Sequence, residues 1–179
     1  EPQAHRLALA DGSPVAYDRL LLAVGARSFV PPFDGVEKKG VFTLRALADA
    51  PSVKAISRSA TTAAVIGGGL LGLETARALL SLGLKVTVIE FSPHLLSRQL
   101  DEQGALILQS RLEAMGLRIL TGAATEAIVG QDRATGVQLK GGAVVDGELV
   151  LISTGIRSRV ELAREAGLEV NRGVVVDQQ

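Results

Sequence analysis

The sequence predicts an α/β domain built on a parallel sheet. Three apolar segments of strand length are separated by two segments of helix length with apolar residues on one face. In chain order they are Thr62 to Ile66, Leu73 to Leu82, Lys85 to Glu90, Asp101 to Met115 and Leu117 to Leu120. The 47% hydrophobic and 21% charged content suits a well-buried α/β protein. The order β-α-β-α-β is the mononucleotide-binding half of a doubly wound sheet.

Composition excludes several classes of protein. Nineteen basic residues balance nineteen acidic ones, so we expect no nucleic-acid partner and no anionic membrane surface. The longest apolar runs are far shorter than the roughly 20 residues that cross a bilayer. With no cysteine, a thiolate metal site and a redox-active cysteine pair are excluded, and His5 and His94 are too far apart to suggest a metal site. The first residues have neither an initiator Met nor a signal-peptide pattern, which predicts a piece of a longer chain. A cytoplasmic location is expected.

The first 60 residues contain a hairpin and a connector. Alternating residues around Asp11-Gly12 predict a hairpin, and Arg19 to Val24 is predicted as a short buried strand. Pro31 to Gly35 is predicted to be an irregular connector, with a domain junction between it and residue 45. Apolar residues every third position predict a helix over Leu44 to Ser59, whose first turn is a separate piece if Pro51 interrupts it.

Past residue 122, apolar and polar residues alternate in shorter segments. They predict a small antiparallel meander, a returning buried strand, a short helix and a strand end. The segments are, in order, Glu126 to Val129, Gly136 to Leu139, Ala143 to Val145, Glu148 to Ser153, Val160 to Gly167 and Gly173 to Asp177.

The segment GGGLLG, residues 67–72, carries the clearest chemical signal. Gly67 can make a tight turn out of the strand, Gly69 can let a pyrophosphate approach the main chain, and Gly72 can let helix and strand touch. Leu70 and Leu71 would cover the ligand. The motif alone also fits a tight strand-to-helix turn without a ligand. Its position between a buried strand and a helix favours a Rossmann-like site for NAD(H).

Glu90 stands 18 residues after Gly72, where a carboxylate accepts hydrogen bonds from the adenosine ribose. The 2′-phosphate of NADPH would meet a like charge there, and Phe91 and Ser92 supply no cation. We therefore predict a preference for NADH, with a solvated strand-end glutamate as the alternative. Phe91 is counted among the nucleotide contacts.

Three further residues near the glycines are ambiguous. Arg98 is either a contact to the adenosine or pyrophosphate or a solvated charge. Glu74, predicted in the first helical turn, is either a ligand contact or a carboxylate placed by the helix dipole. His94 is taken as incidental.

Three segments in this order resemble the pyridine nucleotide-disulfide oxidoreductase superfamily, most closely its rubredoxin reductase, ferredoxin reductase and NADH-nitrite reductase branch. They are Tyr17 to Gly25, similar to the family's YDxLLxATG, then Val65 to Glu74, and Ser153 to Arg157. The resemblance covers nearly the whole chain.

The resemblance implies an FAD domain interrupted by an NAD domain. Residues 1–44 and 154–179 would be parts of the FAD domain, and 45–153 the NAD(H)-binding domain. NADH would pass hydride to FAD, and electrons would go on to a nitrite-reducing, rubredoxin-like or ferredoxin-like acceptor. By position, Glu74 would lie near the nicotinamide carboxamide, Gly155 and Ile156 would line the nicotinamide, and Gly25 would lie at the FAD junction.

Departures from the family pattern limit what the chain is expected to do alone. The family's first GxGxxG and its later Gly-Asp segment are absent, so we predict no retained FAD and no turnover by these residues alone. Val24 stands where the family has Thr, and Ser158-Arg159 replace a common Pro-Asn. An isolated dinucleotide-binding or sensing module without turnover is the alternative function. An ordinary two-substrate dehydrogenase fits poorly, because no catalytic His, Lys or Tyr is suitably placed.

Overall fold

A computed structural model of the chain describes residues 2–177. Its strands, numbered along the chain, are β1 (Arg6–Ala8), β2 (Pro14–Ala16), β3 (Ala26–Ser28), β4 (Val41–Thr43), β5 (Thr62–Ile66), β6 (Lys85–Ile89), β7 (Arg118–Leu120), β8 (Thr125–Val129), β9 (Gly136–Leu139), β10 (Val144–Asp146), β11 (Leu149–Ile152) and β12 (Ile156–Ser158). Its α-helices are α1 (Ala50–Ser57), α2 (Leu70–Ser81), α3 (Glu102–Ala114) and α4 (Glu161–Glu165). The chain divides into two compact units, Ser28–Gly155 and a smaller one formed by residues 2–27 and 156–177.

The larger unit is organised by a five-stranded parallel sheet in the order β4-β11-β5-β6-β7. From β5 the chain passes through α2 to β6 on one side, whereas β11 lies on the other side of β5. The strand order therefore reverses between β5 and β11. In open α/β sheets, ligands bind outside the carboxyl ends of the strands at such a switch point.

The sheet is buried on both faces, by helices on one side and by an antiparallel meander on the other. Alternate residues of β5 separate the layers: Ala63 and Val65 pack in the cluster that includes α1, α2 and α3. Ala64 and Ile66 pack against the meander β8-β9-β10. All four residues of β11 are buried, as expected for a parallel strand covered on both faces.

The smaller unit has less regular structure. Strands β1 and β2 form an antiparallel hairpin, β12 pairs with β3, and α4 is a short helix. His5 and Tyr17 stack with ring centroids 5.4 Å apart, and Arg27 and Glu161 form an ion pair at 2.5 Å.

Most predicted elements are confirmed. The parallel sheet, the hairpin at Asp11-Gly12, the antiparallel meander and the returning buried strand are all present. The helix predicted from Leu44 divides at its first turn into a 3-10 turn, Leu47–Asp49, and α1, with Pro51 in the first turn of α1. Proline is tolerated there because the first helical N–H groups lack intrahelical partners.

Three predictions of secondary structure are wrong. Arg19 to Val24 is not a strand, and Leu21 is 87% exposed, because no strand of residues 2–177 lies beside this segment to pair with it. Gly173 to Asp177 does not form a strand either, since the chain doubles back to a single bridge between Val170 and Val174. Helix α2 begins at Leu70, three residues before the predicted start.

The predicted domain boundaries differ from the compact units. Residues 28–44, which the sequence groups with the first segment, pack in the larger unit and include the edge strand β4. Residues 1, 178 and 179 of the predicted end segments lie outside the described residues. The assignment of the two end segments to an FAD domain stays a prediction.

Candidate dinucleotide-binding site

The glycine turn, residues 67–72, joins β5 to α2 at the switch point of the sheet. Gly67 has φ +115°, which favours glycine, and its N–H donates to the carbonyl of Ile89 at 2.8 Å. A Cβ at Gly67 would overlap the carbonyl of Ser153, just beyond β11. The turn therefore packs between the carboxyl ends of β6 and β11.

Gly72 and Gly69 differ in what surrounds them. A Cβ on Gly72 would overlap the carbonyl of Gly67, so Gly72 lets the first turn of α2 lie directly on the glycine turn. Gly69, the residue before α2, has φ −81° and ψ 177°, and a Cβ there would meet no atom within 4 Å. Its Cα faces open space in an ordinary extended conformation.

The start of α2 provides unpaired hydrogen-bond donors. Gly69 occupies the N-cap position and has no side chain with which to cap the first N–H groups of the helix. Leu70 and Leu71 are 60% and 45% exposed beside these groups. The helix dipole and the free N–H groups make this end of α2 favourable for an anion.

Glu90 directly follows β6 and is half-buried. Its Oε2 accepts a hydrogen bond from the N–H of Gly68 at 2.5 Å, and its Oε1 accepts one from the N–H of Ser92 at 2.6 Å. The carboxylate thus lies against the glycine turn.

The loop after Glu90 packs beneath the glycine turn. Leu95 is fully buried, and the N–H of Leu96 donates to the carbonyl of Gly68 at 3.2 Å. Phe91 is 78% exposed directly after Glu90. Arg98 is exposed in the same loop, and no hydrogen bond or ion pair of the described residues joins it to the glycine turn. His94 Nδ1 lies 3.1 Å from the carbonyl of the next residue, Leu95.

The place of Glu74 corrects one prediction. Because α2 begins at Leu70, Glu74 lies in the second turn and the first turn contains no acidic residue. Glu74 is exposed, and the helix dipole does not explain a carboxylate at that position, since its effect falls off within the first turn.

The segment after β11 lies at the switch point on the side opposite to β6. The Ser153 N–H donates to the carbonyl of Ile66 at 2.8 Å, and the Thr154 hydroxyl donates to the carbonyl of Phe29 at 2.7 Å. Gly155 has φ +106° and accepts a hydrogen bond from the Phe29 N–H at 2.9 Å. Gly155 is thus fixed at the carboxyl end of the sheet, on the side of β11.

The structure brings some predicted site residues together and leaves others apart. The glycine turn contains Gly67, Gly69 and Gly72, and Glu90 is hydrogen-bonded to it. In contrast, Gly25 and Ile156 belong to the smaller unit. Gly25 has φ +69° with open space at its Cα, and Ile156 is 57% exposed in β12.

Three residues of the site were missed by sequence analysis: Gly68, Ser92 and Leu95. A Cβ on Gly68 would lie 2.6 Å from Leu95 Cδ2 and 3.0 Å from Glu90 Cβ. The signal for Gly68 was present, because a third glycine between Gly67 and Gly69 exceeds what the GxGxxG pattern requires. The contacts of Ser92 and Leu95 depend on the loop conformation, which residue spacing does not predict.

Two other kinds of site are not found. Across residues 2–177 no group of His, Asp and Glu side chains is arranged to hold a metal ion. No helix in that range has the length and apolar character needed to cross a bilayer.

A parallel sheet with a glycine turn at its switch point is typical of the Rossmann-like class of α/β folds. The family model described as pyridine nucleotide-disulphide oxidoreductase matches residues 1–179. The chain belongs to this family of oxidoreductases, as the three sequence segments predicted.

Individual relatives agree with this assignment. The chain is 45% identical over 161 residues to a nitrite reductase [NAD(P)H] of Bacillus subtilis, covering 90% of this chain and 20% of the relative. It is 36% identical over 174 residues to a rubredoxin-NAD(+) reductase of Pseudomonas putida, covering 97% of this chain and 45% of the relative. A ferredoxin reductase structure from Rhodopseudomonas palustris superposes with a TM-score of 0.95 at 31% identity, covering 99% of this chain and 44% of that one. The chain therefore spans less than half the length of these relatives.

Proposed function

We propose that the chain binds NADH at the glycine turn, as the NADH-binding portion of a flavoprotein oxidoreductase. In that enzyme NADH supplies the hydride that FAD accepts, and electrons pass on to a nitrite-reducing, rubredoxin-like or ferredoxin-like acceptor. Membership of the family supports this role. The acceptor is inferred from relatives of which the chain spans less than half.

The open space at Gly69 is the observation that carries the proposal. Its backbone angles suit any L-residue, and no neighbour would contact a Cβ. Neither conformation nor packing therefore requires glycine at this position. A ligand that rests directly against the main chain does require it, and a pyrophosphate at the start of a helix is such a ligand.

The surrounding residues have distinct roles in this proposal. The N–H groups at the start of α2 bind the pyrophosphate, and the exposed side chains of Leu70 and Leu71 shield it from water. Glu90 accepts hydrogen bonds from the adenosine ribose, with Phe91 and Arg98 beside the adenosine. No base or acid from the chain is needed for hydride transfer, so its task is to hold the nicotinamide in place.

The nicotinamide end of the ligand is assigned to residues further along the switch point. We propose that Gly155 and Ile156 line the ring and that Glu74 lies near its carboxamide. Gly25 is proposed to lie at the FAD junction of the whole enzyme. A cytoplasmic location is proposed with this function.

Substitution of Gly69 by Ala tests the proposal with little disturbance of the fold. A methyl group at Gly69 displaces the pyrophosphate, so calorimetric titration with NADH should show an affinity loss of at least about tenfold. The midpoint of thermal unfolding should change little, because loss of N-cap preference is offset by reduced freedom of the unfolded chain.

Gly173→Ala is the matched control. Gly173 also lacks a positive φ, its Cβ would meet only Ser158 Oγ at 3.6 Å, and it belongs to the smaller unit. NADH affinity should be unchanged in this variant. Equal affinity of the Gly69→Ala variant and the unmodified chain would refute the proposed site.

A further inference from the structure

The main chain around Glu90 is fixed by the segment that follows β7. The Glu90 N–H donates to the carbonyl of Leu120 at 2.8 Å, and the Ala123 N–H donates to the carbonyl of Glu90 at 2.9 Å. The Gly122 N–H donates to the carbonyl of Ser92 at 2.8 Å, and Gly122 has φ +63°. These hydrogen bonds hold residues 90–92 in place from the side of β7, which is opposite to the side of the glycine turn.

On the other side, both polar groups of the Gly68 main chain are bound by residues that follow β6. The N–H of Gly68 donates to Glu90 Oε2, and the carbonyl of Gly68 accepts from the N–H of Leu96. Leu96 adopts φ +49°, a left-handed backbone conformation that is uncommon for residues other than glycine. Gly68 is buried, with Leu95 and Glu90 filling the space beside its Cα.

The Glu90 carboxylate can hold the turn and still bind a ribose. An ionised carboxylate has about four lone-pair positions, and the N–H groups of Gly68 and Ser92 use one on each oxygen. The remaining positions have no hydrogen-bond partner among the described residues, so they are able to accept hydroxyl groups. The two functions are therefore compatible in one side chain.

We propose that Glu90 is a positioning residue for the glycine turn, in addition to its role as an acceptor for ribose hydroxyls. This inference rests on the proposed function. The carboxylate holds the Gly68 N–H, and thereby fixes the main chain one residue before Gly69, against which the diphosphate rests. Loss of the carboxylate therefore weakens diphosphate binding even when the nucleotide has no ribose hydroxyl to offer.

Glu90→Gln separates the two roles. The amide keeps the size of the side chain and one acceptor oxygen, but its NH₂ group then faces one of the two N–H donors. The probes are ADP and 2′,3′-dideoxy-ADP, which share the diphosphate and differ in the ribose hydroxyls. Glu102→Gln is the matched control, because Glu102 is exposed in the first turn of α3 and its loss removes the same charge.

Titration with 2′,3′-dideoxy-ADP distinguishes a Glu90 that positions the turn from a Glu90 that contacts only the ribose. If Glu90 positions the turn, Glu90→Gln weakens binding of 2′,3′-dideoxy-ADP by about fivefold to tenfold, while Glu102→Gln leaves it unchanged. If 2′,3′-dideoxy-ADP binds Glu90→Gln and the unmodified chain equally, the carboxylate contacts only the ribose and the inference is wrong.

Hydrogen exchange of the free chain distinguishes failure of this inference from failure of the proposed function. The amide protons of Gly68 and Ser92 should exchange faster in Glu90→Gln than in the unmodified chain and in Glu102→Gln. If the unmodified chain binds neither nucleotide, the proposed function fails, and these exchange rates still test the positioning role. Unchanged exchange at both amides would overturn it.

Discussion

The glycines of the turn differ in the physical reason for which each is required. Gly67 and Gly72 are enclosed by main-chain carbonyls, those of Ser153 and Gly67. A Cβ on Gly69 would meet no atom within 4 Å, and the backbone of Gly69 has an ordinary extended conformation. Gly67 and Gly72 therefore build the turn, whereas Gly69 has open space beside its Cα, which the proposed ligand contact requires. Residue identity alone does not distinguish these roles, because all three are part of the same motif.

Gly72→Ala tests the structural role. Gly72 is helical, and in an unobstructed helix interior the change to Ala stabilises by about 1 kcal/mol. Here the new Cβ overlaps the carbonyl of Gly67, so we expect the free energy of unfolding to fall by about 3 kcal/mol. Urea denaturation measures the change, with Gly69→Ala as the comparison. A stabilised Gly72→Ala variant would show that the turn and α2 are not in contact.

Glu90→Ala tests the preference for NADH. The carboxylate favours free ribose hydroxyls and repels a 2′-phosphate, so the variant should lose more affinity for NADH than for NADPH. The ratio of the two dissociation constants should narrow by about tenfold or more. Calorimetric titration of both nucleotides gives the ratio. Equal dissociation constants in the unmodified chain would contradict the predicted preference.

At the scale of elements, hydrophobic periodicity predicted the parallel sheet well. Strand β5 and strand β9 have the predicted bounds, and α3 lies within one residue of its prediction at each end. Asp101 explains the start of α3, because its side chain accepts a hydrogen bond from the Gly104 N–H at 2.8 Å. Such elements are predictable because the local signals agree with the tertiary packing.

The failures arise where tertiary pairing decides the structure. Strand β4 has only three residues and joins the sheet through β11, more than 100 residues later in the chain. Conversely, Arg19 to Val24 has the composition of a strand but no neighbouring strand among the described residues. The start of α2 was predicted three residues too late, because all glycines of the motif were assigned to the turn. Gly72 is in fact helical.

An acidic contact at the opposite, amino-terminal end of the sheet offers a prediction for pH dependence. Glu148 precedes β11, and its Oε2 accepts from the N–H and the hydroxyl of Thr61, at 2.6 and 2.9 Å. The hydrogen bond from the Thr61 N–H is the main reason that the pKa of Glu148 lies below its ordinary value of 4.5. The resulting stability is present above pH 4.5 and is lost as the pH falls through the lowered pKa of Glu148.

Glu148→Gln should therefore lower the free energy of unfolding by about 1 kcal/mol at neutral pH. The difference from the unmodified chain should shrink as the pH falls below the ordinary pKa of a glutamate. Urea denaturation over a pH series measures it, with Glu113→Gln as the control, since Glu113 accepts a hydrogen bond from the Gln109 side chain. A difference that does not vary with pH would mean that the carboxylate charge is not involved.

For the molecule as a whole, family membership and the compact unit Ser28–Gly155 are consistent with the proposed nucleotide-binding domain. The fold class and family were predictable from the sequence, since the motif order is specific. The side-chain bonds that join Glu90 to Gly68 were not predictable, because they depend on a loop conformation that includes Leu96 at positive φ. The acceptor of the proposed enzyme was not predictable from these residues, which span less than half of the relatives.

The sequence also predicts that the chain does not retain FAD. Its 179 residues contain one GxGxxG turn, which we assign to NADH. The purified chain should therefore show no flavin absorption band at about 450 nm. It should also not oxidise NADH in the presence of an artificial electron acceptor. A sample that carries a flavin band through gel filtration would contradict this prediction.

The central claim is that a diphosphate rests against the main chain at the start of α2. Titration of the isotope-labelled chain with ADP, followed by amide nuclear magnetic resonance, tests it most directly. We expect the amide signals of Gly69, Leu70 and Leu71 to shift most, because their N–H groups would donate to the phosphates. Saturable binding that leaves these three signals unmoved, or no binding of ADP at all, would contradict the account.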